Sequence, residues 1–584
     1  MNSFQDVQRI QTDLLIIGGG VAGMMAAVGA VRSGVKPMLL TKGTFPSGSS
    51  SMARGGHTIA IGHAVPEDKP EFLYEDSVKA SLGTCNQRLM RVMSHEAIDR
   101  TLELDEWGLG LIRVEENSAK FDQKPSGSHR YPRLVHCGDL MGKPLMASLS
   151  KKVREWGIVP EAHLMLVDLL REDGRVIGAW GFRHREGIPV VIHAGATVLA
   201  TGGAPQLHEL NDSPPTITGD GYAMAMRAGA ELIDMEFIDY QLLAAAPARI
   251  AGYPPHTSGF IHKGAYLLNK DKERFMKNYD PENWERSTRA MINSTVAREI
   301  FEGRGTENNA IYLDARHMLH EVNDGATAAI IRVFKTSGVD MAKEPIEVTS
   351  GPHTYLGGVL IDEWGRTGLK GLYAGGEAAG GIHGANRTGG AALADSYVFG
   401  FRSGMAAARE LPLHGKPDSK AGSWRGEIEK LEAHLGRTEG PPPDEWRREV
   451  QQLVVTCIGQ VRHGDRLEEG LRKLDEFEER FDEVAVLGDT LRARFNCLRR
   501  TLETRNLIQV ARMLGTAALF REESRGGHFR LDFPELDDEN WKCNIVMREE
   551  GGCLSLRKRA VVEETEVAPD PPGAGSTAAV HEKN

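Results

Sequence analysis

The first strong pattern in the chain is a short apolar run, Asp13–Ile17 (DLLII). It is broken by Gly18-Gly19-Gly20-Val21-Ala22-Gly23 and followed by an alanine-rich stretch to about Ser33. A second apolar run, Pro37–Leu40, comes next. Strand, turn, helix and strand within about 30 residues is the rhythm of a βαβ unit. Mixed-charge helical periodicity follows over 75–115. Strands are expected at 163–170 and 188–200, the second ending in Ala200–Gly203 (ATGG). Over 235–345 the βαβ rhythm is lost, and a loop rich in Pro, Gly and His occupies Ala246–Gly264. The glycine-rich α/β signature returns over 350–410, with Gly371–Gly381 (GLYAGGEAAGG). An α/β domain interrupted by an insertion explains that order better than two independent domains. Beyond a linker at 414–445, residues 446–522 carry helical periodicity with i,i+4 charge pairs, as in a helical bundle. The expected boundaries are 1–235, 236–348, 349–412, 413–540 and 541–584. The stretch Glu563–Asn584, rich in Pro, Gly, Ala and Glu, is expected to be disordered.

Composition narrows the class. The 584 residues are 41% hydrophobic and 26% charged, as in an ordinary globular protein. The net charge of −11 argues against nucleic acid as a main partner. Glycine is high, 66 residues, without a short repeat, so the glycines serve tight turns and close backbone approach to a ligand. The six cysteines form no CxxC, which excludes a disulfide scaffold and an iron–sulfur site within this chain. Reduced thiols in a cytoplasmic protein are the simplest reading. No apolar run reaches membrane-spanning length, and the first 13 residues hold no signal-peptide core, so a membrane link is expected only through a partner.

Four glycine-rich constellations carry chemistry. In the first, Gly18 permits the tight turn, Gly20 lets the backbone approach a pyrophosphate, and Gly23 lets the helix pack on the strand. The second apolar run ends in Thr41-Lys42 instead of the carboxylate that binds a ribose in simple NAD proteins. Lys42 therefore either meets the adenosine side of a flavin nucleotide or lies on the surface. The second and third constellations, Thr201-Gly202 with Asp220 and Gly371–Gly381 with Glu377, can hold ribose or ribityl hydroxyls. Together the three point to an extended dinucleotide. The fourth is His383–Gly390 (HGANRTGG), where Arg387 among glycines is suited to bidentate binding of a carboxylate. His353, in Ser350–Gly358, is a second donor, and Arg289 opens an expected helix.

These segments resemble the flavoprotein subunit of the fumarate reductase/succinate dehydrogenase family, which includes L-aspartate oxidase. Besides GGGVAG, the likeness rests on TGDGYAMAMRAGAELIDMEF (218–237), YLLNKDKERFM (266–276), IYLDARH (311–317), PHTYLGG (352–358), GLYAGGEAAGGIHGANRTGG (371–390) and ESRGGHFRLDFPELDDENW (523–541). It runs from Asp13 to about Val562. The resemblance implies an α/β fold: a Rossmann-like FAD-binding domain interrupted by an α+β capping domain and followed by a C-terminal helical bundle. It implies hydride transfer between flavin N5 and a carbon next to a carboxylate, in a catalytic subunit docked to an iron–sulfur partner. Arg289 falls where the family keeps its proton-donating Arg. His353 and Arg387 match its carboxylate-holding pair. Cofactor contacts are implied for Gly18, Gly20, Gly23, Lys42, Ser49, Ser50, Gly55, Gly56, Thr201, Gly202, Asp220, Glu377, Ala392 and Leu393.

Three departures stand out. Ser49 occupies the position of the histidine that attaches FAD covalently in membrane-bound members, so FAD is expected to be non-covalent. Gln241 replaces a dicarboxylate-binding His. In the loop after it, expected to touch substrate through Thr257 and Ser258, Ser258 and Ile261 replace the Glu and Arg of the family's proton relay. His256, His262 and Lys263 are candidates for another proton route. These changes point to an unsaturated acid whose far end is not a simple carboxylate. An L-aspartate oxidase-like amino-acid oxidase and a non-catalytic FAD electron relay are the alternatives.

Overall fold

The computed structural model describes residues 4, 6–138, 141–255, 260–321, 325–415 and 424–564. The run DLLII ends a ten-residue strand, Gln8–Ile17. It lies parallel to Met38–Leu40 on one side and to Ile188–Leu199 on the other. Arg175–Arg183 and Leu164–Glu172 extend the sheet antiparallel, and Leu372–Ala374 pairs parallel with the end of Ile188–Leu199. Leu14–Ile17 and Val190–Leu199 are buried, as continuous apolar strands covered on both faces must be. The helices Val21–Arg32 and Ala391–Arg409 pack on each other and against this sheet. One helix precedes the insertion in sequence and the other follows it, so a single domain is closed by both halves of the chain.

The insertion is built on an antiparallel sheet in the order Ile238–Ala244, Ile346–Tyr355, Ile311–Asp314, Tyr266–Leu268. Its core gathers Leu242, Phe260, Ile261, Leu267, Ile292, Val296, Ile311 and Phe334. The helix Arg289–Glu299 starts where Thr288 Oγ1 accepts the Met291 N–H at 3.3 Å. This N-cap fixes Arg289 as the first residue of the helix.

Helices Arg425–Leu435, Pro443–Leu453, Gly464–Glu479 and the 30-residue Leu491–Phe520 form the expected bundle. The last described part of the chain differs from a loose extension. Cys543–Glu550 and Cys553–Ala560 form a hairpin, and its first strand pairs with Leu232–Ile233 of the α/β body. Residues 565–584 of the expected disordered tail lie outside the described residues. Among the described residues no helix is long and apolar enough to cross a membrane.

Candidate active site

The turns that follow the parallel strands border an open cleft. Gly18, Gly20, Lys42, Ser49, Ser50, Thr201, Gly202, Asp220 and Glu377 all border it. Gly18 has φ +127°, and a Cβ there would fall 2.0 Å from the Ala200 carbonyl oxygen. Gly20 caps the helix Val21–Arg32 without any side-chain hydrogen bond to the first turn. The open N–H groups of that turn therefore face the cleft, as a pyrophosphate requires.

Two further polar groups fit the hydroxyls of a dinucleotide. Thr201 Oγ1 is buried without a partner among the described residues. Glu377 is half-buried and accepts the Tyr355 N–H at 3.0 Å, and desolvation pushes its carboxyl up to about 7. A cradle of backbone N–H groups with an orphaned hydroxyl and a carboxyl is what FAD needs.

Lys42 is not a surface lysine. Its Nζ donates to Thr218 Oγ1 and Asp220 Oδ2, both at 2.6 Å, and pairs with Glu503 Oε1 at 2.8 Å. Glu503 comes from the long helix Leu491–Phe520. Burial opposes its charge, but Lys42, Arg499 and Arg447 outweigh that and hold the carboxyl far below the usual carboxylate range. Asp220 also accepts from Asn506 Nδ2 at 2.9 Å. The charge of Lys42 thus ties the cleft wall to the helical domain.

A cluster of charged side chains gathers where the capping sheet meets the cleft, and it forms a candidate substrate pocket. Asp239 and Gln241 stand two residues apart on Ile238–Ala244, so both side chains leave the same face. The neighbouring strand places His353 beside them, with Tyr240 opposite Pro352 and Asp239 opposite Thr354 across a bulge. Arg289 enters from its helix start, and Arg387 enters from the glycine-rich loop. Arg289 Nη2 and Arg387 Nη2 both donate to Asp239 Oδ2, at 2.6 and 2.7 Å. His353 Nδ1 donates to Asp212 Oδ2 at 2.8 Å, and Gln241 Nε2 donates to the same oxygen.

Burial would raise the pKa of Asp239, but Arg289, Arg387 and His353 hold it below the ordinary range. Burial depresses the pKa of Arg289, and Arg387 adds to the depression while Asp239 opposes it. Burial, more than the neighbouring Arg387, lowers its proton affinity. Arg387 Nε is buried without an acceptor among the described residues. The pocket and the cleft share a wall, because Tyr355 N–H bonds Glu377 and Ser49 Oγ bonds Ser213 Oγ at 3.3 Å, next to Asp212.

The other expected contacts fall elsewhere. Gly23, Gly55, Gly56, Ala392 and Leu393 do not border the cleft. Gly23 serves packing: a Cβ there would lie 1.9 Å from the Gly18 carbonyl oxygen. Gly56 is pressed in the same way against Val135. Ala392 and Leu393 lie in the first turn of Ala391–Arg409. Thr257, Ser258 and His256 lie outside the described residues, as does the His262 side chain. Ile261 is fully buried in the capping core, and Lys263 is exposed on the short turn Ile261–Lys263. Asp212 and Asp239 are not expected from the sequence. Asp239 has one available signal, its i−2 spacing from Gln241 on an apolar strand. Asp212, in an irregular loop, has none.

The FAD binding domain family matches residues 13–393, and the fumarate reductase flavoprotein C-terminal family matches residues 447–573. The chain belongs to the fumarate reductase/succinate dehydrogenase flavoprotein family. It is 37% identical to one of the subunits of the CoM/CoB fumarate reductase of Methanothermobacter marburgensis, covering 92% of this chain and 97% of that one. It is 31% identical to the L-aspartate oxidase of Streptomyces coelicolor, covering 96% and 95%. A quinol fumarate reductase flavoprotein of E. coli superposes with a TM-score of 0.87 at 28% identity, covering 97% of this chain and 99% of that one. As a fumarate reductase-type flavoprotein, the chain is an FAD-dependent oxidoreductase acting on CH–CH bonds, and FAD is the group the cleft holds.

Proposed function

We propose that this flavoprotein reduces the C=C bond of a carboxylic acid, fumarate or another unsaturated acid, with Arg289 as the proton donor. The observation that carries the reading is the shared oxygen of Asp239. Two guanidiniums, one buried and one partly exposed, converge on one carboxylate oxygen beside the flavin cleft, so the pocket can hold a carboxylate in bidentate fashion.

Bound FAD supplies the hydride that is exchanged with the substrate carbon. Arg387, with its unpartnered Nε, and His353 orient the substrate carboxylate and stabilise charge that develops on it. Arg289, 29% exposed where Arg387 is 3%, is the guanidinium that reaches open space. Its lowered proton affinity lets Nη2 release a proton to the carbon next to the carboxylate. Asp239 holds the guanidinium in place.

FAD is held without a covalent bond, since Ser49 offers a hydroxyl where attachment needs an imidazole. The electrons pass through a separate iron–sulfur subunit, because the six scattered cysteines of this chain cannot ligate a cluster. Relatives named as subunits of fumarate reductase and succinate dehydrogenase support that assembly, and contact with a membrane would come only through such a partner.

The test is anaerobic reduction of the holoenzyme with dithionite, followed by addition of fumarate and other α,β-unsaturated acids while the flavin absorbance is read. Reoxidation by at least one of them is expected. Arg289→Gln and Arg289→Lys are expected to keep FAD and lose the reaction. Full reoxidation in either variant refutes the role of Arg289.

A further inference from the structure

The far end of the pocket holds a second carboxylate of the chain's own. Asp212 directs Oδ2 between His353 Nδ1, at 2.8 Å, and Gln241 Nε2. Its side chain is only 11% exposed. The loop that carries it is braced from below. Gln206 Nε2 donates to Asn211 Oδ1 at 3.1 Å and to the Ser213 carbonyl at 3.3 Å. Asn211 in turn bonds the Ser213 N–H and the His208 carbonyl, and Gln451 holds Gln206 from the helical domain. Asp212 is therefore a fixed part of the pocket wall.

Each carboxylate of the pocket already has partners on the chain: Asp239 has the two guanidiniums, and Asp212 has His353 and Gln241. Arg289 and Arg387 face Asp239, and Asp212 adds a second negative charge beside neutral Gln241. One substrate carboxylate can replace or join Asp239 at the two guanidiniums. A second carboxylate, at the other end, would meet Asp212 at close range in a partly desolvated site, which like charges disfavour. A group that donates hydrogen bonds and carries positive charge meets an acceptor there instead.

We infer that Asp212 sets the substrate class: an acid with a single carboxylate, held by Arg387 and Arg289, and an amino group at the opposite end, held as ammonium by Asp212. The inference rests on the proposed reading of Arg387 as the carboxylate holder. Specificity would then come partly from repulsion, with Asp212 rejecting dicarboxylates of the same length.

The test uses equilibrium binding to the oxidised, FAD-loaded protein, read as perturbation of the flavin absorbance. Propanoate and its 3-carboxy and 3-amino derivatives, succinate and 3-aminopropanoate, serve as probes. The wild-type protein is expected to bind 3-aminopropanoate about tenfold tighter than propanoate, and succinate most weakly. Asp212→Asn is expected to abolish the preference for the amine and to tighten succinate about tenfold. Asp212→Ser provides the same comparison if the first variant does not retain FAD, and the wild-type ranking stands alone if neither does. Tightest binding of succinate by the wild type, or a ranking unchanged by removing the Asp212 charge, overturns the inference and leaves the carboxylate site intact. Absence of any perturbation by all three acids overturns the carboxylate site itself, and the inference with it.

Discussion

Asp239→Asn tests the central geometry most directly, because it removes one charge and leaves the shape of the side chain. In the wild type a carboxylate that is 3% exposed neutralises Arg387, also 3% exposed, and Arg289, 29% exposed. Breaking a buried pair by removing one partner costs about 3–5 kcal/mol. The lower end applies here, since Arg289 is partly solvated. At about 2.1 cal/mol/K of unfolding entropy per residue, a cooperative unit of about 400 residues loses roughly 3–4 °C for about 3 kcal/mol. The pKa of Asp239 is depressed in the folded state, so its stabilisation is complete above the ordinary carboxylate pKa and is lost as pH falls through the depressed value. The deficit of the variant is therefore full at neutral pH and closes only in strong acid.

The same change frees two guanidiniums for an external anion. Half-saturation by propanoate should fall by about tenfold or more, since like charges about 4 Å apart interact by about 4 kcal/mol at an effective dielectric of about 20, an upper limit. Thermal denaturation of the FAD-loaded protein over a propanoate series reads both effects. A variant as stable as the wild type, with an unchanged propanoate dependence, would refute the account of the pocket.

Gly18→Ala is expected to yield protein without flavin, read as the ratio of flavin to protein absorbance, because its Cβ would fall 2.0 Å from the Ala200 carbonyl oxygen. Glu377, with its pKa raised from 4.5 to about 7, makes the FAD-free protein lose about 3 kcal/mol as pH rises from about 4.5 to about 7, with no further loss above. Thermal midpoints of the FAD-free Glu377→Gln variant should lack that slope and exceed those of the wild type at pH 8; parallel curves would sink the argument. Acid precipitation of the holoenzyme should leave all the flavin in the supernatant, and a yellow pellet would contradict the non-covalent reading of Ser49.

The outline of the fold is readable because buried parallel strands are written as continuous apolar runs. DLLII, its glycine turn and the strand ending at Leu199 could hardly be anything else. The hairpin Cys543–Ala560 is easily passed over, although Gly551 and Gly552, both at positive φ, form the two-residue connection such a hairpin favours. Its Arg-Lys-Arg run reads as solvated chain when taken alone. Strand Arg175–Arg183 escapes in the same way, since only its neighbours on both sides account for its burial.

In the site, Arg289, His353, Arg387 and Gln241 come from the family resemblance, and the structure adds the partners that adjust them. Asp212 and Asp239 act through register, a bulge and a braced loop, none of which has a period in the sequence. Lys42 is undecided between cofactor and solvent in the sequence because its partner Glu503 is far away in the chain. Ile261 shows the opposite case. Its burial among Phe260, Leu242 and Leu267 gives a structural reason why that position no longer carries a charge.

The split of the α/β domain around its insertion also sets a timetable for synthesis. The end of Ile188–Leu199 acquires its neighbour Leu372–Ala374 only after roughly 170 further residues have been made, about 9–35 s at ordinary translation rates. Leu232–Ile233 waits still longer for Cys543–Glu550. Until then the nascent chain carries apolar strands with open edges and a nucleotide cleft that lacks the walls formed by Gly375, Glu377 and Ser396. Flavin loading therefore waits at least until the segment through Ser396 has emerged, and the interval before it is when chaperones have the most to protect.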